Sequence, residues 1–328
     1  MIQLVDKYNR EINYLRISLT ELCNLRCRYC MPMEGIKKNT HDQTLTYEEI
    51  ITAVKVAAKL GIKKIRLTGG EPLIKKDIIK LASNIKQVPG INELCITTNG
   101  LLLKQYAKDL KEAGVDRLNI SLDTLNANKY KYITRVGELK DALAGIDEAL
   151  SVGFDKIKIN SVLIGGFNDD EIIDMASLTL KQDTDVRFIE LMPMYDSGDF
   201  DEKSFIKGSV VIDKLEKEYG KDNITIVNDD KYRQVARLYK IKNAKAMVGI
   251  ISPVSNHFCY ECNRIRLTSD GKLKPCLHSN EEISIKGLNE NEMEERFRMA
   301  IEHKPKQHEV LSYTSRSGAN RNMNEIGG

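Results

Sequence analysis

Apolar positions alternate, or run in β-branched stretches, at residues 12–19, 64–68, 93–98, 116–122, 155–162 and 186–191. Short runs of this period predict six strands. Between them the apolar positions recur every three or four residues, which predicts helices over about 46–60, 76–87, 103–113, 138–152 and 169–182. The first helix shows how its ends are marked. Thr46 and Glu49 frame the start, Ile50, Ile51, Val54, Ala57 and Ala58 form the stripe, and Gly61 closes it. Strict alternation of strand and helix predicts an α/β fold with a parallel sheet and right-handed crossovers. The units are too few for a closed triosephosphate-isomerase-type barrel. The sheet is therefore expected to curl into a partial (β/α)6 barrel or to stay open and doubly wound.

The rhythm changes after about residue 195, where a Gly- and Asp-rich linker leads to a helix near 209–219 and strands near 224–227, 234–241 and 246–251. The expected division is a barrel over 1–195 and a C-terminal extension over 196–328 that covers its open side. The last dozen residues, rich in Ser, Asn, Arg and Gly, are expected to form a mobile tail.

Composition narrows the class. At 328 residues and 41% hydrophobic content the chain can bury a sizeable core. No apolar run approaches the roughly 20 residues that cross a bilayer, and the opening segment has neither the apolar core nor the cleavage site of a leader. A cytoplasmic protein is expected. Lys and Arg number 50 against 47 Asp and Glu, and a net charge of +3 argues against a general nucleic-acid or membrane surface. Any anion site must be built locally. No G-x-x-x-x-G-K-[ST] occurs, so a triphosphate would have to be held by dispersed Arg and Lys. Of the seven cysteines, six fall in two tight groups, which in a reducing compartment points to metal rather than to disulfides.

Cys23, Cys27 and Cys30 follow the first strand with the spacing C-x3-C-x2-C. A structural zinc site wants four ligands, whereas three thiolates on an iron–sulfur cluster leave one iron open to a reacting ligand. A zinc knuckle borrowing a distant histidine remains an alternative at the level of these cysteines. Tyr29 precedes the third cysteine, and Gly69-Gly70-Glu71-Pro72 follows the strand at 64–68. Together these features resemble the radical SAM superfamily. The resemblance implies a partial barrel of that type, with a [4Fe–4S] cluster on Cys23, Cys27 and Cys30. It also implies S-adenosylmethionine (SAM) on the open iron, Tyr29 near adenine, and the loop at Gly70 against the methionyl amine.

Cys259, Cys262 and Cys276 form a second set of three, for which zinc completed by His257 or His278 is an equal alternative. Alternation puts Cys262, Arg264 and Arg266 on one face of an extended segment and Ile265 and Leu267 on the other. Two guanidiniums beside thiols suit an anionic ligand bound in fork geometry. Cys95, apart from both groups, reads as a buried strand thiol.

With the terminal Gly327-Gly328, the pattern resembles the GTP 3′,8-cyclase family of molybdenum cofactor biosynthesis over essentially the whole chain. That resemblance implies a second [4Fe–4S] cluster on Cys259, Cys262 and Cys276 whose open iron meets guanine. Arg264 and Arg266 would hold GTP and serve catalysis, and the Gly327-Gly328 tail would enter the active site. Arg16, Arg66, Thr97 and Lys158 match the family's GTP contacts; Gly70, Ser121 and Met192 match its SAM contacts. The implied reaction cleaves SAM with an external electron, often from a flavodoxin, to methionine and a 5′-deoxyadenosyl radical. The radical takes hydrogen from C3′ of GTP, the C3′ radical closes on C8, and one-electron reduction with a proton completes the ring. The product, 3′,8-cyclo-7,8-dihydro-GTP, would pass to cyclic pyranopterin monophosphate synthase. A homodimer is compatible with the family; a membrane or nucleic-acid partner is not expected. The rivals are a peptide-modifying radical SAM enzyme and a zinc-stabilised RNA-binding module. The first would carry more cysteines beyond residue 200 than the three present, and the second a basic stripe.

Overall fold

The computed structural model describes residues 4–36, 40–154, 157–194, 200–227, 235–311 and 317–327. Its alternating part comprises β1 (Tyr14–Ser18), α1 (Tyr47–Lys59), β2 (Lys64–Thr68), α2 (Ile78–Lys86), β3 (Glu93–Thr98), α3 (Leu103–Glu112) and β4 (Arg117–Ser121). It continues through α4 (Ala127–Thr134), α5 (Leu139–Ser151), β5 (Ile157–Leu163), α6 (Ile172–Lys181) and β6 (Thr184–Glu190). Beyond it lie α7 (Ser209–Tyr219), β7 (Ile224–Val227), β8 (Arg237–Ile241), β9 (Val248–Ile251) and β10 (Arg264–Leu267). Last come β11 (Lys272–Lys274), β12 (Ile283–Ser284), α8 (Glu290–Glu302) and α9 (Met323–Ile326).

Strands β1 to β6 pair in parallel and in chain order. Right-handed crossovers that all advance in one direction place every connecting helix on the same side of the sheet. The strand order does not reverse as in a doubly wound sheet, so the fold is a partial barrel. It does not close: the order among the described residues is β12-β11-β10-β1-β2-β3-β4-β5-β6-β9-β8-β7. β10 joins β1 and β9 joins β6, both in parallel, so the later part of the chain extends the sheet at both edges.

Alternation along the strands then separates two environments. On the helix side Leu15, Ile17, Ile65, Leu67, Leu94, Ile96, Leu118 and Ile120 join one core with Ala53, Val54, Leu81 and Ala107 of the helices. The residues between them, such as Arg16, Arg66, Thr97 and Asn119, face a cavity on the inner side.

The six predicted strands and five predicted helices form within a few residues of their expected bounds; positions 155–156 lie outside the described residues. The capping box at the start of α1 is present, with the Glu49 N–H donating to Thr46 Oγ1 at 3.2 Å. Three helices were not anticipated: α4, α8 and the short α9 of the tail. α4 buries Tyr130, Ile133 and Thr134 without a repeating stripe and is started by Asn126, which accepts from the N–H groups of Asn128 and Lys129. α8 is likewise started by a capping box, here between Asn289 and Glu292.

The expected mobile tail is overturned over 317–327. Its polar residues find fixed partners: Arg321 bonds Asp270 and Glu282 at 2.7 to 3.2 Å, and Asn324 Nδ2 donates to the Glu21 carbonyl at 3.2 Å. Asn324 and Ile326 are each only 1% exposed. Composition suggests mobility only where such partners are missing. Among the described residues no helix is long and apolar enough to cross a membrane.

Candidate active site

Parallel register sets the first feature of the site. Arg266 of β10, Arg16 of β1 and Arg66 of β2 are direct partners in adjacent strands, so three guanidiniums stand in one row on the inner face. A second row runs through Thr97, Asn119, Lys158 and Asp185. Arg66 Nη1 links the rows by donating to Thr97 Oγ1 at 3.1 Å. The Arg66 Nε and Asn119 Oδ1 atoms are buried without a hydrogen-bond partner among the described residues, which leaves polar capacity for a ligand.

Loops at the C-terminal ends of β1, β2 and β3 interlock above these rows. Gly70 donates its N–H to the Thr20 carbonyl at 2.7 Å, and Glu71 donates to the Leu22 carbonyl at 2.9 Å. A Cβ at Gly70 would lie 2.2 Å from the Leu22 oxygen, so only glycine lets the second loop lie this close to the cysteine loop. The Glu71 carboxylate accepts from the N–H groups of Leu73 and Asn99 and from Thr98 Oγ1; burial outweighs these bonds and raises it to about 7. Asn99 Nδ2 donates to Asn24 Oδ1 at 2.7 Å, which ties the third loop to the first.

The result is a cavity of about 1340 Å³. Cys23, Cys27 and Cys30 line it together with Cys259, Cys262 and Cys276. So do Arg16, Arg66, Arg264, Arg266, Thr97 and Lys158. Tyr29, Gly70, Ser121 and Met192 line it as well. Gly327 reaches the same region by another route: its carbonyl accepts from Arg266 Nη1 at 2.5 Å, and a Cβ there would lie 2.6 Å from Thr68 Cγ2. Gly328 lies outside the described residues. Cys95 is fully buried on β3, as expected of a strand thiol.

The cations repel one another. Burial, then Arg266, push Arg16 well below the ordinary arginine range, and burial with Arg264 lowers Arg266 to about 10. Lys158 falls to about 7 through burial and the nearby Arg187 and Arg117, against the pull of Asp185 3.5 Å away. Such a set is stabilised by an anion.

The thiols are donors that could hold a metal. Burial lifts Cys23 to about 11 and Cys30 to about 12, and Cys27 rises well above its ordinary value through burial and the proximity of Cys30. Three thiols so placed stay protonated alone and would ionise against a bound metal cation. In the second group burial raises Cys259 and Cys276, whereas at Cys262 burial is outweighed by Lys304 and Arg264, which bring it down to about 6. One thiol of this group is thereby favoured as thiolate.

Residues 17–179 match the Radical SAM superfamily, and residues 184–310 match Molybdenum Cofactor Synthesis C. A GTP 3′,8-cyclase of Alkaliphilus metalliredigens (strain QYMF) is 48% identical over 326 residues, covering 98% of this chain and 99% of the relative. The chain belongs to the GTP 3′,8-cyclase family. A second member, from Peptoclostridium acidaminophilum, is 51% identical over 86% of its own length and 87% of this chain. The crystal structure of Streptococcus suis SuiB superposes with a TM-score of 0.66 over 91% of this chain and 68% of that one, at 15% identity, a likeness of fold. Membership of the radical SAM superfamily implies an enzyme with a [4Fe–4S] cluster and SAM.

Several residues of this family member's site were missed in the sequence. Asp123, two positions after Ser121, accepts from Tyr29 Oη at 2.7 Å and from the Val162 N–H at 2.9 Å; burial raises it to about 6. Its place beside a motif residue is a usable signal. Arg187 lines the cavity on β6 and Lys304 touches Cys262, with no local pattern that marks either.

Proposed function

We propose that this chain converts GTP to 3′,8-cyclo-7,8-dihydro-GTP, the first step of molybdenum cofactor biosynthesis, in the cytoplasm. The observation that carries the reading is that both cysteine triads and the Arg266–Arg16–Arg66 row line one cavity. Cys23, Cys27 and Cys30 would hold the [4Fe–4S] cluster that binds SAM, and Cys259, Cys262 and Cys276 a second one. When bound, the first cluster and SAM would supply the one-electron chemistry that removes hydrogen from a substrate carbon, and the second cluster an anchor for guanine.

The protein's residues bind, orient and exclude. Tyr29, Gly70, Ser121 and Met192 hold SAM on the side of the first triad. Arg264 and Arg266 hold the nucleotide beside the second triad, while Arg16, Arg66, Thr97 and Lys158 hold the rest of GTP along the two rows. Multiple contacts fix the ribose against the SAM carbon, which is where positional accuracy contributes most to rate. Gly327, beside Thr68 and Arg266, places backbone close to the reacting groups and keeps water out, and in this reading Gly328 completes the tail. The reading includes a low-potential donor such as a flavodoxin, a homodimer, and delivery of the product to cyclic pyranopterin monophosphate synthase.

The test is anaerobic reconstitution with iron and sulfide, then incubation with SAM, GTP and dithionite and mass analysis of the nucleotides. A cyclised dihydro-GTP formed together with 5′-deoxyadenosine is expected. 5′-Deoxyadenosine with GTP left unchanged, and another substrate consumed instead, overturns the assignment.

A further inference from the structure

Lys304, one residue past the C-cap of α8, is 2% exposed. An ammonium group has three N–H donors, and each finds an acceptor. Nζ donates to the Arg264 carbonyl at 2.7 Å, the Pro275 carbonyl at 2.9 Å and Cys262 Sγ at 3.5 Å. Two of these partners are neutral. A buried charge needs a counter-charge or it is strongly unfavourable, and the sulfur is the one partner of the three that can carry it.

The lysine also cannot swing aside. Arg10, itself buried, donates to the carbonyls of Pro305 at 2.7 Å and Lys306 at 3.0 Å, and to that of Cys259 at 2.7 Å. The segment carrying Lys304 is thereby clamped to the segment carrying the first cysteine of the second group. Through its own bonds Lys304 joins the stretch that bears Cys262 to the stretch that bears Cys276.

We propose that Lys304 is a positioning residue for the second cluster: it fixes the spacing of the ligand segments and, through its bond to the Cys262 sulfur, sets the cluster's reduction potential. The inference rests on the reading that the second triad holds a four-iron cluster. A cationic N–H aimed at a ligating thiolate offsets the charge added on reduction, and hydrogen bonds to cluster sulfurs are a principal control of such potentials. Lys304 therefore raises the potential, making the cluster easier to reduce.

The experiment uses the full chain with Cys23, Cys27 and Cys30 replaced by Ser, so that the second triad is observed alone. After anaerobic reconstitution, metal analysis comes first. About four irons per chain are expected; zinc, or no iron, overturns the second-cluster reading itself and this proposal with it. In the iron-bound parent, Lys304→Met and Lys304→Arg are then compared by redox titration followed by electron paramagnetic resonance. The Met variant should need a more negative potential, with its oxidised-to-reduced ratio raised at least about tenfold, or about 59 mV for one electron. The Arg variant should stay nearer the parent. Loss of iron from the Met but not the Arg variant, with thermal unfolding unchanged, also supports the proposal, because charge is then what holds the site. Parent-like potentials in the Met variant, or equal loss of iron from both variants, overturn it and leave the second-cluster reading standing.

Discussion

Arg16, Arg66, Arg266 and Lys158 are held close together in a buried wall, although each is pushed toward the neutral form by burial or kept charged only against its neighbours. Lys158 is the informative member because its folded value, about 7, lies in the working range. Its folded value is depressed below the unfolded one, so between about 7 and the ordinary lysine value of 10.5 the unfolded chain binds more protons than the folded chain. The penalty of a charged buried lysine is therefore full below pH 7 and is relieved as pH rises through this window. Binding of a triphosphate runs the other way, since it needs the charged form. Affinity for GTP should weaken as pH rises from 7 to 9, by up to about tenfold per unit. Lys158→Met should bind more weakly at pH 7 and lose this component of the slope. Titration calorimetry of GTP against pH checks it, and an unchanged slope in Lys158→Met would remove Lys158 from the nucleotide site.

At the scale of elements, the tail is attached by charge and by one short helix. Arg321 bridges Asp270 and Glu282, both partly shielded, while Asn322 and Glu325 form the capping box that starts α9. Removing a charge-assisted bond of this kind costs roughly 1.5 to 3 kcal/mol. Arg321→Ala should leave the barrel folded but release 323–327, seen as faster amide exchange there. Cyclised product should fall while SAM cleavage continues. Deleting Gly327 and Gly328 should give the same uncoupling without the change in exchange at Asn324. Normal turnover in the truncated protein would make the tail a packed end with no part in the reaction.

For the whole molecule, the two cysteine triads must act on one cavity though they come from opposite ends of the chain. The reconstituted chain should carry about eight irons, as two four-iron clusters require. Cys27→Ala should abolish both 5′-deoxyadenosine and cyclised nucleotide. Cys262→Ala should keep slow 5′-deoxyadenosine formation and lose cyclisation, because GTP loses its anchor. Arg264→Ala or Arg266→Ala should weaken GTP binding about ten- to a hundredfold. Both products measured together in each variant decide it: wild-type cyclisation by Cys262→Ala would make the second triad structural.

Much of this organisation is local and was legible in the sequence. Period-two runs such as KIRLT and ELCITT give β2 and β3 at their observed bounds, and C-x3-C-x2-C, GGEP and the Cys262-to-Arg266 alternation fix which side chains are on offer. These depend on a few neighbouring residues, whose sterics and spacing act before any tertiary contact forms. Other features are decided only by folding. The strand register makes a row of Arg266, Arg16 and Arg66, and the order β10-β1-β2 brings the second triad beside the first. Asp123 meets Tyr29, Arg321 meets Asp270 and Glu282, and Lys304 meets Cys262. α4, not read as a helix from the sequence, and the tail, read as mobile, follow the same rule, since burial and specific partners stabilise them. Sequence alone determined the chemistry available to this protein. Tertiary structure decided which of those groups meet, because contacts between distant residues depend on register and packing that no local pattern encodes.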